Sequence, residues 1–187
     1  MTLYVPAVAP MSRQKIEEEA LAIISRYYPK LLRKPGPFPV LAFFDLIREE
    51  FGLDPGVEEL SDGVEGMTFP NGCVLVCEET YRGASEEQGR PRFTIPHECY
   101  HGIKHKDQIR KALMDTGELV IYRRQLIKPF VDPEWQANAF AAAVLMPEPM
   151  VRMLAAKNEG MQLLDLMIKI FKVSPKAAEV RLEKLRI

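Results

Sequence analysis

From Ser12 onward, apolar residues return at helical spacing: Ile16, Ala20, Ile23, Ile24 and Tyr27 form one stripe. Ser12 is a suitable cap for that helix, and Pro29 limits it. The preceding MTLYVPAVAPMS is punctuated by proline and predicts extended chain. RKPGPFP (Arg33–Pro39) reads as a turn-rich link, followed by a second amphipathic helix over Val40–Phe51 with Gly52 just past its end. The pattern then becomes β-like. Val64, Met67 and Phe69 precede Pro70-Asn71-Gly72, and Val74, Leu75 and Val76 follow it, which predicts a hairpin turning at Asn-Gly. Gly83 to Gly89 is polar and predicts a loop.

Beyond Thr94 the spacing is mostly helical. Thr94 is placed as a cap, with Pro96 in the first turn, where its missing N–H costs little. Asp132-Pro133 predicts a clearer start, for a helix running through Leu145 and stopping near Pro147 and Pro149. Met161–Phe171 and Pro175–Leu185 form a final helical pair, with Ser174-Pro175 opening its second member. The order predicts an α+β fold, mostly helical, with a small sheet ahead of the Thr94 helix. Residues 1–187 read as one domain, with 157–187 as a helix-turn-helix-like hairpin subdomain.

Composition adds mainly exclusions. With 187 residues, 47% hydrophobic and 27% charged, the chain can bury a core without staples. Its apolar peak, Trp135 to Pro147, is too short for the roughly 20 residues of a membrane span. No charge precedes Arg13, so the N-terminus lacks a signal peptide's basic-then-apolar layout, and a cytoplasmic protein is expected. Three cysteines argue against a disulfide scaffold. A net charge of −1 does not indicate a nucleic-acid binder. The charge is nevertheless polarised: Asp45 to Arg90 holds 12 acidic and 3 basic residues, a solvated face or an attraction for a basic partner.

The three histidines, His97, His101 and His105, fall within nine consecutive residues. His97-Glu98-Cys99-Tyr100-His101 is an H-E-x-x-H string. On a helix, positions i and i+4 share a face, so both imidazoles can reach one metal ion, and Glu98 stands beside the open coordination position as a proton acceptor. A catalytic zinc usually takes a third protein ligand. His105 lies about 12 Å further along a straight helix than His97, which leaves it as a surface or packing histidine at the helix end. Glu134, in the first turn of the next strong helix, can be that ligand, with Asn138 on the same face bonding a ligating histidine. Equally, Glu134 can simply favour the positive end of its helix dipole.

Three blocks, in order, resemble the ImmA/IrrE metallo-endopeptidases, a gluzincin-like family: RFTIPHECYHGIKH (Arg92–His105), EWQANAFAAAVLMP (Glu134–Pro147) and FKVSPKAAEVRLEKL (Phe171–Leu185). GVEGMTFPNGCVLV is similar to the family's approach strands, so the resemblance runs from about Ile16. It implies a zincin-like fold, a metal held by His97, His101 and Glu134, and Glu98 as general base. The metal would be Zn2+, with Mn2+ admitted by the same ligands. It also implies cleavage of a protein substrate, a DNA-binding helix-turn-helix repressor. Pro96 and Cys99 depart from the small or aliphatic residues usual there, and Pro96 would trouble only a helix that began a turn earlier. The family's radiation-response members carry a sensor-like domain, which is not expected here.

Tyr122, upstream of Glu134, is a candidate oxyanion donor, with plain packing as the alternative. Cys99 is expected on the reverse face of its helix. Cys73 and Cys77, about 13 Å apart in a strand, cannot share a metal. The Ala-rich run Phe140–Val144 predicts a core helix that closely approaches the one bearing His97. The C-terminal pair offers a DNA-binding alternative, or a structural hairpin or substrate-docking face. A non-catalytic regulator and a metal-stabilised interaction module are therefore the competing readings.

Overall fold

The computed structural model describes residues 4–116, 121–123 and 128–187. The Ser12 hydroxyl accepts from the Lys15 N–H and opens α1 (Arg13–Tyr27), which buries Ile16, Ala20 and Ile24. Pro29 diverts the chain into a 3₁₀ turn, Pro29–Leu32. α2 (Val40–Phe51) buries Val40, Phe43, Phe44 and Ile47 and closes at Gly52, whose φ of 61° suits a residue without Cβ.

A three-stranded sheet follows, in the order β2 (Asp54–Val57), β4 (Cys73–Val76), β3 (Gly66–Thr68). β3 and β4 form the expected antiparallel hairpin, with Met67 opposite Leu75. β2 runs parallel to β4 on the other edge, where Pro55 is tolerated, and nothing in its sequence announces it. β1 (Tyr4–Pro6) pairs antiparallel with β5 (Ile121–Arg123) in a separate two-stranded ribbon.

The central helices differ from expectation in three ways. The predicted Gly83–Gly89 loop is largely helical: α3 (Glu78–Ser85) starts where Cys77 Sγ accepts from the Thr80 N–H, and only three residues separate it from α4 (Gly89–Tyr100). Thr94 therefore lies inside α4 rather than capping it, and its hydroxyl is 3.0 Å from a Glu65 carboxylate oxygen and 3.3 Å from the Arg90 carbonyl. Pro96 likewise sits in the helix interior, a position that costs about 3 kcal/mol on an exposed helix. Burial of Ile95, Pro96, Cys99 and Tyr100 offsets that cost. The third difference is that the helix does not end at His105. It widens into one π-helical turn, His101–His105, closed by Lys106 N–H to the His101 carbonyl, and continues as α5 (Lys106–Thr116).

Asp132 caps α6 (Pro133–Leu145) by accepting from the Glu134 N–H at 2.9 Å. α6 crosses α4 closely because its contact face is alanine-rich; Phe140 stacks on Tyr100 with centroids 4.3 Å apart. The prolines at 147 and 149, read as a stop, also open a short helix, α7 (Glu148–Ala155), in whose first turn proline is harmless. α8 (Gly160–Phe171) and α9 (Pro175–Leu185) form the expected pair, and Ser174 accepts from the Ala177 N–H. Arg181 ties α9 back to the start of the chain. It is 1% exposed, forms a two-pronged ion pair with Glu17 of α1 and donates to the Met146 carbonyl. The result is the mostly helical α+β architecture expected. Among the described residues, no helix is long and apolar enough to cross a membrane.

Candidate metal centre

α4 carries His97 near its C-terminal end, the π turn carries His101, and the first turn of α6 carries Glu134. The close α4–α6 crossing brings them together. His97 Nε2 is 3.1 Å from His101 Nε2 and 3.5 Å from Glu134 Oε2, and His101 Nε2 is 3.2 Å from Glu134 Oε1. Ligands bound at about 2.0–2.1 Å with tetrahedral angles stand about 3.3–3.4 Å apart, close to the His97–His101 separation, while each Glu134 oxygen faces one imidazole and one atom from each residue lies within 4.8 Å of the others.

The second nitrogen of each imidazole reinforces the match. His97 Nδ1 is 3.2 Å from Asn138 Oδ1, one turn beyond Glu134 on α6. A proton on Nδ1 donates there and leaves Nε2 bare. His101 Nδ1 is 3.0 Å from His105 Nδ1, away from the cluster. Each imidazole thus turns one nitrogen to the cluster and the other to a partner behind it, and a donor set of two imidazoles and a carboxylate fits a divalent metal.

Protonation follows the same logic. Burial would lower the His97 imidazole, but the Glu134 hydrogen bond, the charges of Glu98 and Glu134, and Asn138 together hold it above its ordinary value. Burial would likewise raise the Glu134 carboxyl, yet the hydrogen bonds to His101 and His97 hold it well below the usual carboxylate range.

Glu98, next to His97, is turned to the sheet. Its Oε2 accepts from the Thr68 hydroxyl at 2.8 Å, and that hydroxyl is 2.9 Å from the Glu98 carbonyl. β3 can approach this closely because residue 66 is glycine: a Cβ there would fall 2.7 Å from Glu98 Cγ. Thr68 and Gly66 carry no sequence signal beyond their place in an approach strand. The centre opens into a cleft of about 1250 Å³, lined by His97, Glu98, Glu134, Trp135 and, from α9, Lys176 and Val180.

His105 stands outside the cluster of possible ligand atoms and is packed in the interior, with the helix continuing past it rather than ending there. It is fully buried, and burial and then His101 push its imidazole down to about 3. Its Nε2 is 3.0 Å from Gln136 Oε1, a partner that sequence spacing does not reveal. Cys99 is buried on the far face of α4, and burial raises its thiol. Cys73 and Cys77 are half-buried and separate. Tyr122 pairs with Val5 through the β1–β5 ribbon, but its side chain, and with it the oxyanion expectation, lies outside the described residues.

Comparison with known proteins bears on the fold and the family. The chain superimposes on a solved Mycobacterium tuberculosis transcriptional regulator with a TM-score of 0.59 at 18% identity, covering 90% of this chain. That is a likeness of fold. The match spans 55% of the regulator's chain. No curated protein matches. Residues 83–183 match the Peptidase M78 model, described as the IrrE N-terminal-like domain, over more than half of the chain. The protein therefore belongs to the IrrE N-terminal-like family of metallopeptidase type.

Proposed function

We propose that this protein is a metal-dependent endopeptidase that hydrolyses a peptide bond in a protein substrate, a helix-turn-helix transcriptional repressor. One observation carries the reading: His97 Nε2, His101 Nε2 and a Glu134 carboxylate oxygen converge within 4.8 Å of one another at the wall of a large cleft, beside Glu98. The metal, zinc or manganese, would be held by those three residues. When bound it would supply Lewis acidity, which lowers the pKa of a water ligand towards about 7 and polarises a carbonyl.

The chain's own residues supply the rest. Asn138 orients His97, and Thr68 holds one Glu98 oxygen, leaving the other free to take a proton from the attacking water and return it to the departing amine. The cleft's volume of about 1250 Å³ leaves room for a segment of peptide. The regulator's likeness of fold and the family resemblance both favour a regulatory substrate. The DNA-binding alternative is less favoured, because Lys176 and Lys184 of α9 border the peptide cleft and Arg181 is committed to Glu17.

The test is metal stoichiometry together with cleavage. Wild type should hold one metal per chain, and His101→Ala and Glu134→Ala should hold none. Glu98→Gln should keep the metal yet fail to cut a co-expressed repressor. Cleavage by Glu98→Gln, or metal retained in both ligand variants, would overturn the reading.

A further inference from the structure

His105 and Gln136 form a chain of hydrogen bonds behind the metal ligands that can run in only one direction. Gln136 is fully buried, and its Nε2 lies 2.9 Å from both the Ala9 carbonyl and the Phe130 carbonyl. Two carbonyls can only accept, so the amide nitrogen must face them and the amide oxygen must face His105. The His105 Nε2, 3.0 Å from that oxygen, must then carry a hydrogen. A buried neutral imidazole has one N–H, so His105 Nδ1 is a bare acceptor. The atom it faces, His101 Nδ1 at 3.0 Å, must donate. In a neutral His101 the single proton is thereby held on Nδ1, and Nε2 faces His97 Nε2 and Glu134 as the bare nitrogen.

Reversing any link fails. A proton on His105 Nδ1 would set its bare Nε2 against the Gln136 oxygen, and flipping the Gln136 amide would set that oxygen against two carbonyls. Each reversal leaves buried polar atoms facing one another with no hydrogen between them.

We propose that His105 and Gln136 are positioning residues that fix the tautomer of His101, holding its proton on Nδ1 so that Nε2 is always presented to the metal. Free neutral histidine prefers its proton on Nε2, the wrong nitrogen for this site, so the chain works against an intrinsic bias. The carbonyls that anchor it belong to Ala9, in the segment before α1, and Phe130, just before α6. Metal affinity at His101 thereby depends on chain segments that touch no ligand. The inference rests on the metal-binding reading above.

The test begins with nitrogen NMR of the full chain, ¹⁵N-labelled at histidine, with and without zinc. His105 should be protonated on Nε2 and His101 on Nδ1 in both states. His105 protonated on Nδ1, or a metal-free His101 protonated on Nε2 and bare on Nδ1, would overturn the proposal. Chelator competition supplies the second readout. His105→Leu should weaken zinc binding about 10–100-fold. His105→Asn, whose amide oxygen replaces the Nδ1 acceptor, should restore most of it. Zinc bound as tightly by His105→Leu as by wild type would overturn the relay. If His105→Leu does not fold, the wild-type tautomers and the Asn variant decide the matter. A wild type that takes up no zinc removes the proposed function instead, while the metal-free tautomers still judge the relay.

Discussion

The Asn138 amide oxygen stands 3.2 Å from His97 Nδ1, so one face of α6 delivers both the carboxylate of the candidate metal cluster and a polar partner for the ring opposite it. Asn138→Leu removes the acceptor and frees the ring to turn. Zinc affinity, read by chelator competition, is expected to fall about 10–100-fold. Asn138→Asp, which keeps an acceptor, should bind at least as tightly as wild type.

Thr68 acts on the neighbouring glutamate. Thr68→Val preserves shape and removes the hydroxyl that pins Glu98 Oε2. The expected result is a fall of about tenfold in kcat with KM and zinc affinity little changed, the scale of one hydrogen bond to a charged group. Steady-state kinetics on a cleavable repressor check this.

The Glu17–Arg181 pair sets a stability test. Their side chains are 11% and 1% exposed, so Glu17→Ala strands a buried guanidinium and should cost about 3–5 kcal/mol in denaturant unfolding. Replacing both together, Glu17→Leu with Arg181→Met, should recover much of that loss, because the orphaned charge is gone.

Cys99 is expected to be chemically silent. It is fully buried and burial raises its thiol, whereas Cys73 and Cys77 are half-buried. Under native conditions a thiol reagent should modify those two first, and Cys99 only at the rate of unfolding, as mass spectrometry of the labelled peptides would show.

What could be read from the sequence was what local chemistry decides. Ser12, Asp132-Pro133 and Ser174-Pro175 place helix starts because a cap acts within three residues of itself. The H-E-x-x-H spacing placed two imidazoles on one face for the same reason. Pro96 inside α4 was not legible, because the packing that offsets its cost comes from elsewhere in the core. Nor was the π turn at His101–His105, which leaves no mark in apolar periodicity. Gln136 meets His105 across 31 positions, and Thr68 meets Glu98 across 30. Such partners are chosen by the packing of whole elements, and the resemblance of blocks names ligands without naming what holds them.

The bond from Glu17 to Arg181 spans 164 positions, and the helix it anchors borders the cleft. A chain made from its N-terminus forms the two histidines of the H-E-x-x-H string early, while this border waits for α9 to leave the ribosome. During synthesis the residues of the candidate metal centre are therefore present in the chain before the cleft beside them is complete. α9 follows both α4 and α6 in the chain, so the cleft beside the candidate metal centre gains this border only after the centre's own helices have been made.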